Sequence, residues 1–318
     1  MGHPNLSSLL PNFLTNLDLG ITSKCTSRCS SCRSYSSIGK TDFVWALDDI
    51  ANKLSALKAS VGASIRSFTI SGGEPLTHPD IVGIVEFISR TYKESRVSII
   101  TNGLLLPKQG EAFFSVCREK NIPIIVSGYP WNKSLPIKEL QKEFGVHIRF
   151  RTFEAASSWM HLPLIEPPPE KLRPTTAYVC HVECPHMNHR GIFTCVTKAN
   201  FFLLKSAYPG VSHIPDPQGL GIEDVHTIED ILGFLSTPDP WCNRCSAIFL
   251  HSLKLLGLPH PPFAPYGAFS GSIRDWYQPD YVKDFLFNST RQAPLGTYTT
   301  RQRLNPQVLA ALQTARGG

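Results

Sequence analysis

Three cysteines stand at Cys25, Cys29 and Cys32, a C-x3-C-x2-C run directly after the apolar stretch Leu17 to Ile21. Thiolates are the ligands of soft metals and of iron–sulfur clusters. Three of them can hold three irons of a [4Fe–4S] cube, which leaves the fourth iron for an outside ligand. A structural zinc site wants four ligands, and no further Cys or His stands nearby to complete one. A second thiol group follows far along the chain: Cys180, Cys184, Cys195, Cys242 and Cys245. With His181, His186 and His189 interspersed, that group admits either another cluster or a zinc knot. Cys117 falls three and four residues after Phe114 and Phe113 on a helix face and reads as a buried, inert thiol.

Two glycine-bearing loops complete the chemistry-bearing set. Ser71-Gly72-Gly73-Glu74-Pro75 follows the apolar run Ile65 to Ile70, and Thr101-Asn102-Gly103 follows Val97 to Ile100. Glycines let a backbone approach closely, and a carboxylate such as Glu74 can meet a cationic group. Each motif alone reads equally as a turn. Their order along the chain, always after a strand, is what carries weight.

The elements that must position these loops alternate. Strands are predicted at Leu17 to Ile21, Ile65 to Ile70, Val97 to Ile100, Ile122 to Val126 and Val146 to Phe150. Between them, a helix capped by Thr41 or Asp42 carries Phe43, Leu47, Ile50, Leu54 and Leu57 on one face. A second buries Ile81, Ile84, Val85, Ile88 and Tyr92. Pro107 suits the first turn of a third helix, and Ser134 caps a fourth. Repeated βα units predict an α/β fold with a parallel sheet whose ligands sit at the carboxyl ends of the strands. Five units fall short of a closed eight-stranded barrel, so an open or partial barrel is expected. On the fifth strand His147, Arg149 and Arg151 share one parity, facing either the interior, where an arginine could orient a hydroxyl or carboxylate, or the outside. Phe153-Glu154 at its end is a further candidate for substrate contact.

Prolines from Pro163 to Pro174 read as a linker. Beyond it, Gly191 to Val196 reads as one strand of a hairpin, and its neighbouring histidines as solvent-facing or supporting the cysteines. Thr227 and Asp230 form a capping-box start for a helix that ends before Pro238-Asp239-Pro240. Asn305-Pro306 starts a terminal helix.

On the residues Cys25-x3-Cys29-x2-Cys32, Gly72-Gly73-Glu74-Pro75 and Thr101-Asn102-Gly103, in that order and at strand ends, the chain resembles the radical S-adenosylmethionine (SAM) superfamily over about residues 16 to 153. The resemblance implies a partial (β/α)6-type radical SAM barrel with a [4Fe–4S] cluster on Cys25, Cys29 and Cys32. SAM would chelate the open iron. Gly72, Gly73, Glu74 and Pro75, with Thr101, Asn102 and Ser127, become cofactor-binding positions. The later thiols resemble the short Twitch-type auxiliary-cluster appendage of deoxy-scyllo-inosamine dehydrogenase-type enzymes. Cys180, Cys195, Cys242 and Cys245 then hold a second [4Fe–4S] cluster, and Cys184 is the surplus thiol, unless Cys180 and Cys184 exchange roles. The expected organisation is a barrel over 1–160, a small α+β auxiliary domain over 175–250, and an extension over 251–318 with no assigned role.

The resemblance further implies hydrogen abstraction from a polar, hydroxyl- or amine-bearing small molecule by a 5′-deoxyadenosyl radical. Oxidation would pass the second electron to the auxiliary cluster, while epimerisation would use Cys184 as hydrogen donor, with Arg151 contacting substrate. An external one-electron reductant of flavodoxin or ferredoxin type is implied. A maturase of a ribosomally made peptide is a competing reading, weakened because only 24 residues precede Cys25. A non-catalytic metal or electron carrier is the third.

Composition narrows the field. The 318 residues are 42% hydrophobic and 18% charged, as in ordinary globular proteins, and the net charge of +6 is spread out. No basic stripe interleaved with aromatics points to nucleic acid. No apolar run is long enough to span a membrane, and no basic secretory start is present. With nine cysteines, a cytoplasmic setting favours metal over disulfides.

Overall fold

The computed structural model describes residues 12–29, 32–38, 42–129, 132–152, 164–168, 185–237, 239–246, 273 and 276–279. Strands β1 (Leu17–Gly20), β2 (Ser67–Ser71), β3 (Arg96–Thr101), β4 (Ile124–Gly128) and β5 (Ile148–Thr152) pair in parallel. Their crossovers carry helices α1 (Leu47–Val61), α2 (Ile81–Thr91), α3 (Glu111–Glu119) and α4 (Ile137–Phe144). The hairpin β6 (His186–Asn188) and β7 (Gly191–Phe193) extends the sheet, β6 lying parallel to β1. The resulting seven-stranded sheet runs β5-β4-β3-β2-β1-β6-β7. This is the mixed α/β, partial-barrel architecture that the βα rhythm predicts.

Parity divides the sheet into two faces. Leu17, Leu19, Phe68, Ile70, Val97, Ile99, Ile124, Val126 and Ile148 are buried in one cluster with Ile50, Leu54, Ile84, Ile88, Phe114 and Leu140 of the helices. Each such side chain contributes roughly 1.5–3 kcal/mol by leaving water. In-register parallel partners share a face. The other face therefore carries Asp18, Thr69 and Ser98, then Ser71, and at the far edge Arg149 and Arg151.

Several local features depart from the sequence reading. The first helix begins at Leu47, not near Thr41, and Phe43 lies ahead of it. Backbone bonds explain this: Ser23 N–H donates to Phe43 O, Trp45 N–H to Ile21 O, and Thr22 pairs with Val44. The segment is thus held extended beside the cysteine loop. Ser134 is no cap, because α4 starts after Pro136. Pro107 sits in a short 3-10 turn, Leu106–Lys108, ahead of α3. Helix α7 (Ile228–Ser236) starts as expected, with Thr227 N–H donating to Asp230 Oδ2 at 2.8 Å. Part of the presumed linker is ordered: Leu164 bridges to Cys245 and Tyr277, and Leu164 and Ile165 are buried. The terminal helix expected from Asn305 lies outside the described residues.

The chain divides into two compact units, Met1–Trp159 with Val182–Thr237, and Met160–His181 with Pro238–Gly318. The hairpin joins the first unit because it adds to the β1 edge, whereas Cys242 and Cys245 belong to the second. Helices α5 (Val196–Ala199) and α6 (Phe201–Ala207) follow the hairpin in that unit.

Candidate functional site

At the carboxyl ends of β1, β2 and β3, three loops are tied into one knot. Gly73 N–H donates to Thr22 O and Glu74 N–H to Lys24 O, both at 2.7 Å. A Cβ on Gly72, where φ is +149°, would stand 2.4 Å from Thr22 O. One on Gly73 would stand 2.4 Å from Lys24 O and 2.5 Å from Ser23 O. The glycine pair therefore lets the β2 loop press on the backbone that enters the cysteine loop. Only residues without a side chain fit both places.

Glu74 is the buckle. Its carboxylate is fully buried; Oε1 accepts Thr101 Oγ1 at 2.7 Å and Leu76 N–H at 3.1 Å, and Oε2 accepts Asn102 N–H at 2.7 Å. Burial pushes its pKa up, while these hydrogen bonds pull it down. Both oxygens accept hydrogen bonds from backbone and hydroxyl donors within the chain. Thr101 is used likewise, since its hydroxyl also accepts Gly103 N–H at 2.9 Å. Pro75 is buried at the start of a 3-10 turn, Pro75–Thr77.

Asn102 turns toward the thiols. Its Nδ2 donates to Thr26 Oγ1 at 3.0 Å and Ser27 Oγ at 3.2 Å, and lies 3.9 Å from Cys25 Sγ. Ser27 N–H donates to the same sulfur at 3.4 Å, and Ser34 Oγ lies 3.2 Å from Cys32 Sγ. Burial first, then the charges of Cys32, Glu74 and Cys29, push the Cys25 thiol up to about 12. Cys29 and Cys32 both lie near enough for their charges to act on Cys25. Tyr129, at the end of β4, feels all three and is raised first by burial and then by them.

Asn132 is a residue that sequence reasoning missed. Buried at 1% exposure, its Nδ2 donates to Ser127 O at 2.7 Å and Asn102 O at 2.8 Å, and its Oδ1 accepts Tyr129 N–H at 2.7 Å. It staples the β4 loop to the β3 loop. Ser127 is itself buried and pairs in register with Arg151.

These donors fit an iron–sulfur cluster: three undisulfided thiols, hydrogen bonds aimed at sulfur, and a snug backbone cradle. Among the described residues no three Cys, His, Asp or Glu side chains gather closely enough to chelate a single ion.

Arg149 and Arg151 project on the polar face, and the charge of Arg151 reaches Asp18, which resolves the parity of β5 toward the interior. His147 shares their parity. Phe153 and Glu154 lie outside the described residues.

Of the later cysteines, Cys195 precedes α5 in the first unit. In the second unit, Cys242 lies on the 3-10 turn Pro240–Arg244 and Cys245 follows it, with Cys245 N–H donating to Cys242 O. There Glu166 accepts Arg244 at 3.0 Å and the Tyr277 hydroxyl. Cys180, His181 and Cys184 lie outside the described residues. Cys117 is buried, its thiol raised to about 12 by burial, as expected of an inert core group. His186 is buried in β6 rather than solvent-facing, because that strand pairs with β1. The His189 ring lies tilted against Phe43 and edge-on to Phe202.

Residues 19–120 match the model of the Radical SAM superfamily, which uses a [4Fe–4S] cluster and S-adenosylmethionine. The GTP 3′,8-cyclase of Alkaliphilus oremlandii is 34% identical over 109 residues, covering 34% of this chain and 33% of that protein. Molybdenum cofactor biosynthesis protein 1 of Dictyostelium discoideum is 31% identical over 97 residues, 30% of this chain and 15% of that protein. The chain thus spans about a third or less of the length of these relatives. A crystal structure of BtrN in complex with AdoMet and 2-DOIA is similar at 13% identity and a TM-score of 0.44, covering 78% of this chain and 91% of that one.

Proposed function

We propose that this chain is a radical SAM enzyme that abstracts hydrogen from a polar, hydroxyl- or amine-bearing small molecule, ending in oxidation or epimerisation at that carbon. The observation that carries the reading is the knot itself: the glycine pair against Thr22 and Lys24, with Glu74 and Asn102 tying the loop that bears Cys25, Cys29 and Cys32. Those three thiolates would hold the cluster, and a reduced cluster with SAM supplies a 5′-deoxyadenosyl radical.

The chain's own residues hold the geometry. Asn102 and Ser27 place hydrogen-bond donors at Cys25, which lowers the negative charge on that sulfur and tunes the potential. Gly72 and Gly73 keep the loop close. Asn132 and Ser127 set the rim of the β4 loop, and Arg151 stands over the polar face to orient a substrate oxygen. Cys195, Cys242 and Cys245, with Cys180 as fourth ligand, would hold a second [4Fe–4S] cluster that accepts the electron released on oxidation. In epimerisation Cys184 would return a hydrogen atom instead. A flavodoxin- or ferredoxin-type protein would supply electrons. Among the described residues no helix is long and apolar enough to cross a membrane.

A second reading follows from the 34% identity to a GTP 3′,8-cyclase, namely that the substrate is a purine nucleotide. Anaerobic reconstitution of the full chain, followed by incubation with SAM and dithionite, tests the main reading through 5′-deoxyadenosine release. Consumption of GTP in the same assay would favour the cyclase reading, and intact SAM would remove both. Iron and sulfide analysis tests the second cluster: about eight irons per chain are expected, and about four with zinc would overturn it.

A further inference from the structure

One side chain joins the first cysteine loop to the segment that carries Cys195. Arg33 follows Cys32 directly, and its Nε donates to Thr197 Oγ1 at 3.3 Å, across 164 residues of chain. Thr197 is buried and stands two residues after Cys195, in the short helix α5. Both ends of the bond belong to the first compact unit.

Both ends are also fixed. Tyr35 N–H donates to Cys32 O at 3.0 Å, which makes Arg33 and Ser34 the corner of a turn. Ser34 Oγ stays within the loop, 3.2 Å from Cys32 Sγ and 3.1 Å from Ser36 Oγ, while Arg33 leaves it for Thr197. Tyr35 is buried at φ +56°, a conformation that a bulky residue keeps only where its surroundings enforce it. On the far side, Ala199 N–H donates to Cys195 O at 3.1 Å, and Asn188 Nδ2 of β6 donates to Ala199 O at 2.9 Å. Helix α5 is thereby held to the sheet, and Thr197 with it.

A guanidinium carries five N–H donors, and Arg33 has other interactions besides this bond, so Thr197 fixes it without exhausting it. An arginine stays charged throughout the working pH range. Consecutive Cα atoms are about 3.8 Å apart, which places this charge within roughly one Debye length, about 10 Å, of the Cys32 sulfur. Reduction of a cluster held by Cys25, Cys29 and Cys32 adds one negative charge, and a fixed cation favours the more negative state. At an effective dielectric of about 20, a unit charge about 10 Å away shifts such an equilibrium on the order of tenfold.

We infer that Arg33 is a positioning residue of the SAM cluster: clasped by Thr197, it holds a permanent positive charge beside Cys32 and raises the potential at which that cluster accepts its electron. The inference rests on the radical SAM reading for the first cluster and needs no second one. It gives α5, far along the chain, a hold on the first centre.

The test is a redox titration of the full reconstituted chain, followed by electron paramagnetic resonance, without SAM and therefore without turnover. The signal to follow is the one absent from C29A. In R33Q the ratio of reduced to oxidised cluster at a fixed potential is expected to fall about tenfold, a shift of about 59 mV for one electron. R33K, which keeps the charge, is expected to recover most of that loss. T197V, which keeps the arginine and removes its clasp, is expected to fall between wild type and R33Q. An unchanged ratio in R33Q would overturn the inference, as would R33K falling as far as R33Q or T197V matching wild type. Should R33Q take up no iron, R33K and T197V decide. A wild-type chain that takes up no cluster would remove the radical SAM reading itself, and this inference with it, so the two failures are told apart.

Discussion

Arg151 on β5 acts on the charge of Asp18 on β1, across the three strands that lie between them. In a flat sheet four inter-strand steps would separate these strands by roughly 19 Å, well beyond the reach of a screened charge. The sheet is therefore curved enough to bring its first and fifth strands within side-chain reach.

Asn132 is predicted to be a structural staple whose loss is felt at the site. Asn132→Ala leaves two buried carbonyls and one N–H without their partner, at a cost of about 2–4 kcal/mol. Urea unfolding of the cluster-free protein measures it. An unchanged midpoint would show the staple is dispensable.

Glu74 is predicted to act without SAM. In Glu74→Gln an amide N–H must either face the Asn102 N–H or displace the Thr101 and Leu76 donors. The expected cost is about 2 kcal/mol or more, measured on the chain before any cofactor is added. A variant of wild-type stability that fails only to bind SAM would return Glu74 to a direct ligand role.

Gly73→Ala puts a methyl group 2.4 Å from the Lys24 carbonyl, and backbone cannot swing aside as a flexible side chain can. Overpacking of this kind costs about 1–3 kcal/mol and displaces the segment that leads to Cys25. Lower iron retention after reconstitution, by colorimetric assay, is the expected outcome.

His186 gives the fold a pH dependence. Burial lowers its pKa from 6.5 to about 4, so between those values the unfolded chain binds a proton that the folded chain does not. Stability is therefore full above about pH 6.5 and falls by about 3 kcal/mol as pH drops toward 4. His186→Leu should lose that increment of the slope in urea titrations at a series of pH values. Parallel slopes for the two proteins would contradict it.

The βα rhythm and the three loop motifs were legible because strand alternation, helical periodicity and glycine placement are local signals. What escaped was set by partners distant in sequence. Phe43 fits a helical face, yet the Thr22–Val44 bridge and the bond from Trp45 N–H to Ile21 O hold it extended. Asn132 is one asparagine in a polar loop, and only the fold shows which carbonyls it meets. Asp18 did leave a trace, as a charged residue amid Leu17, Leu19 and Ile21, where period-two alternation puts it opposite the core face. The burial of His186 was not legible, because nothing in its neighbourhood reveals that β6 pairs with β1.

The most direct test is 5′-deoxyadenosine release from SAM by the anaerobically reconstituted chain under dithionite, compared with Cys29→Ala. Release by the wild-type chain, lost in the variant along with its iron, is the predicted result. A wild-type chain that carries its iron and sulfide, binds SAM, and leaves it uncleaved would contradict it.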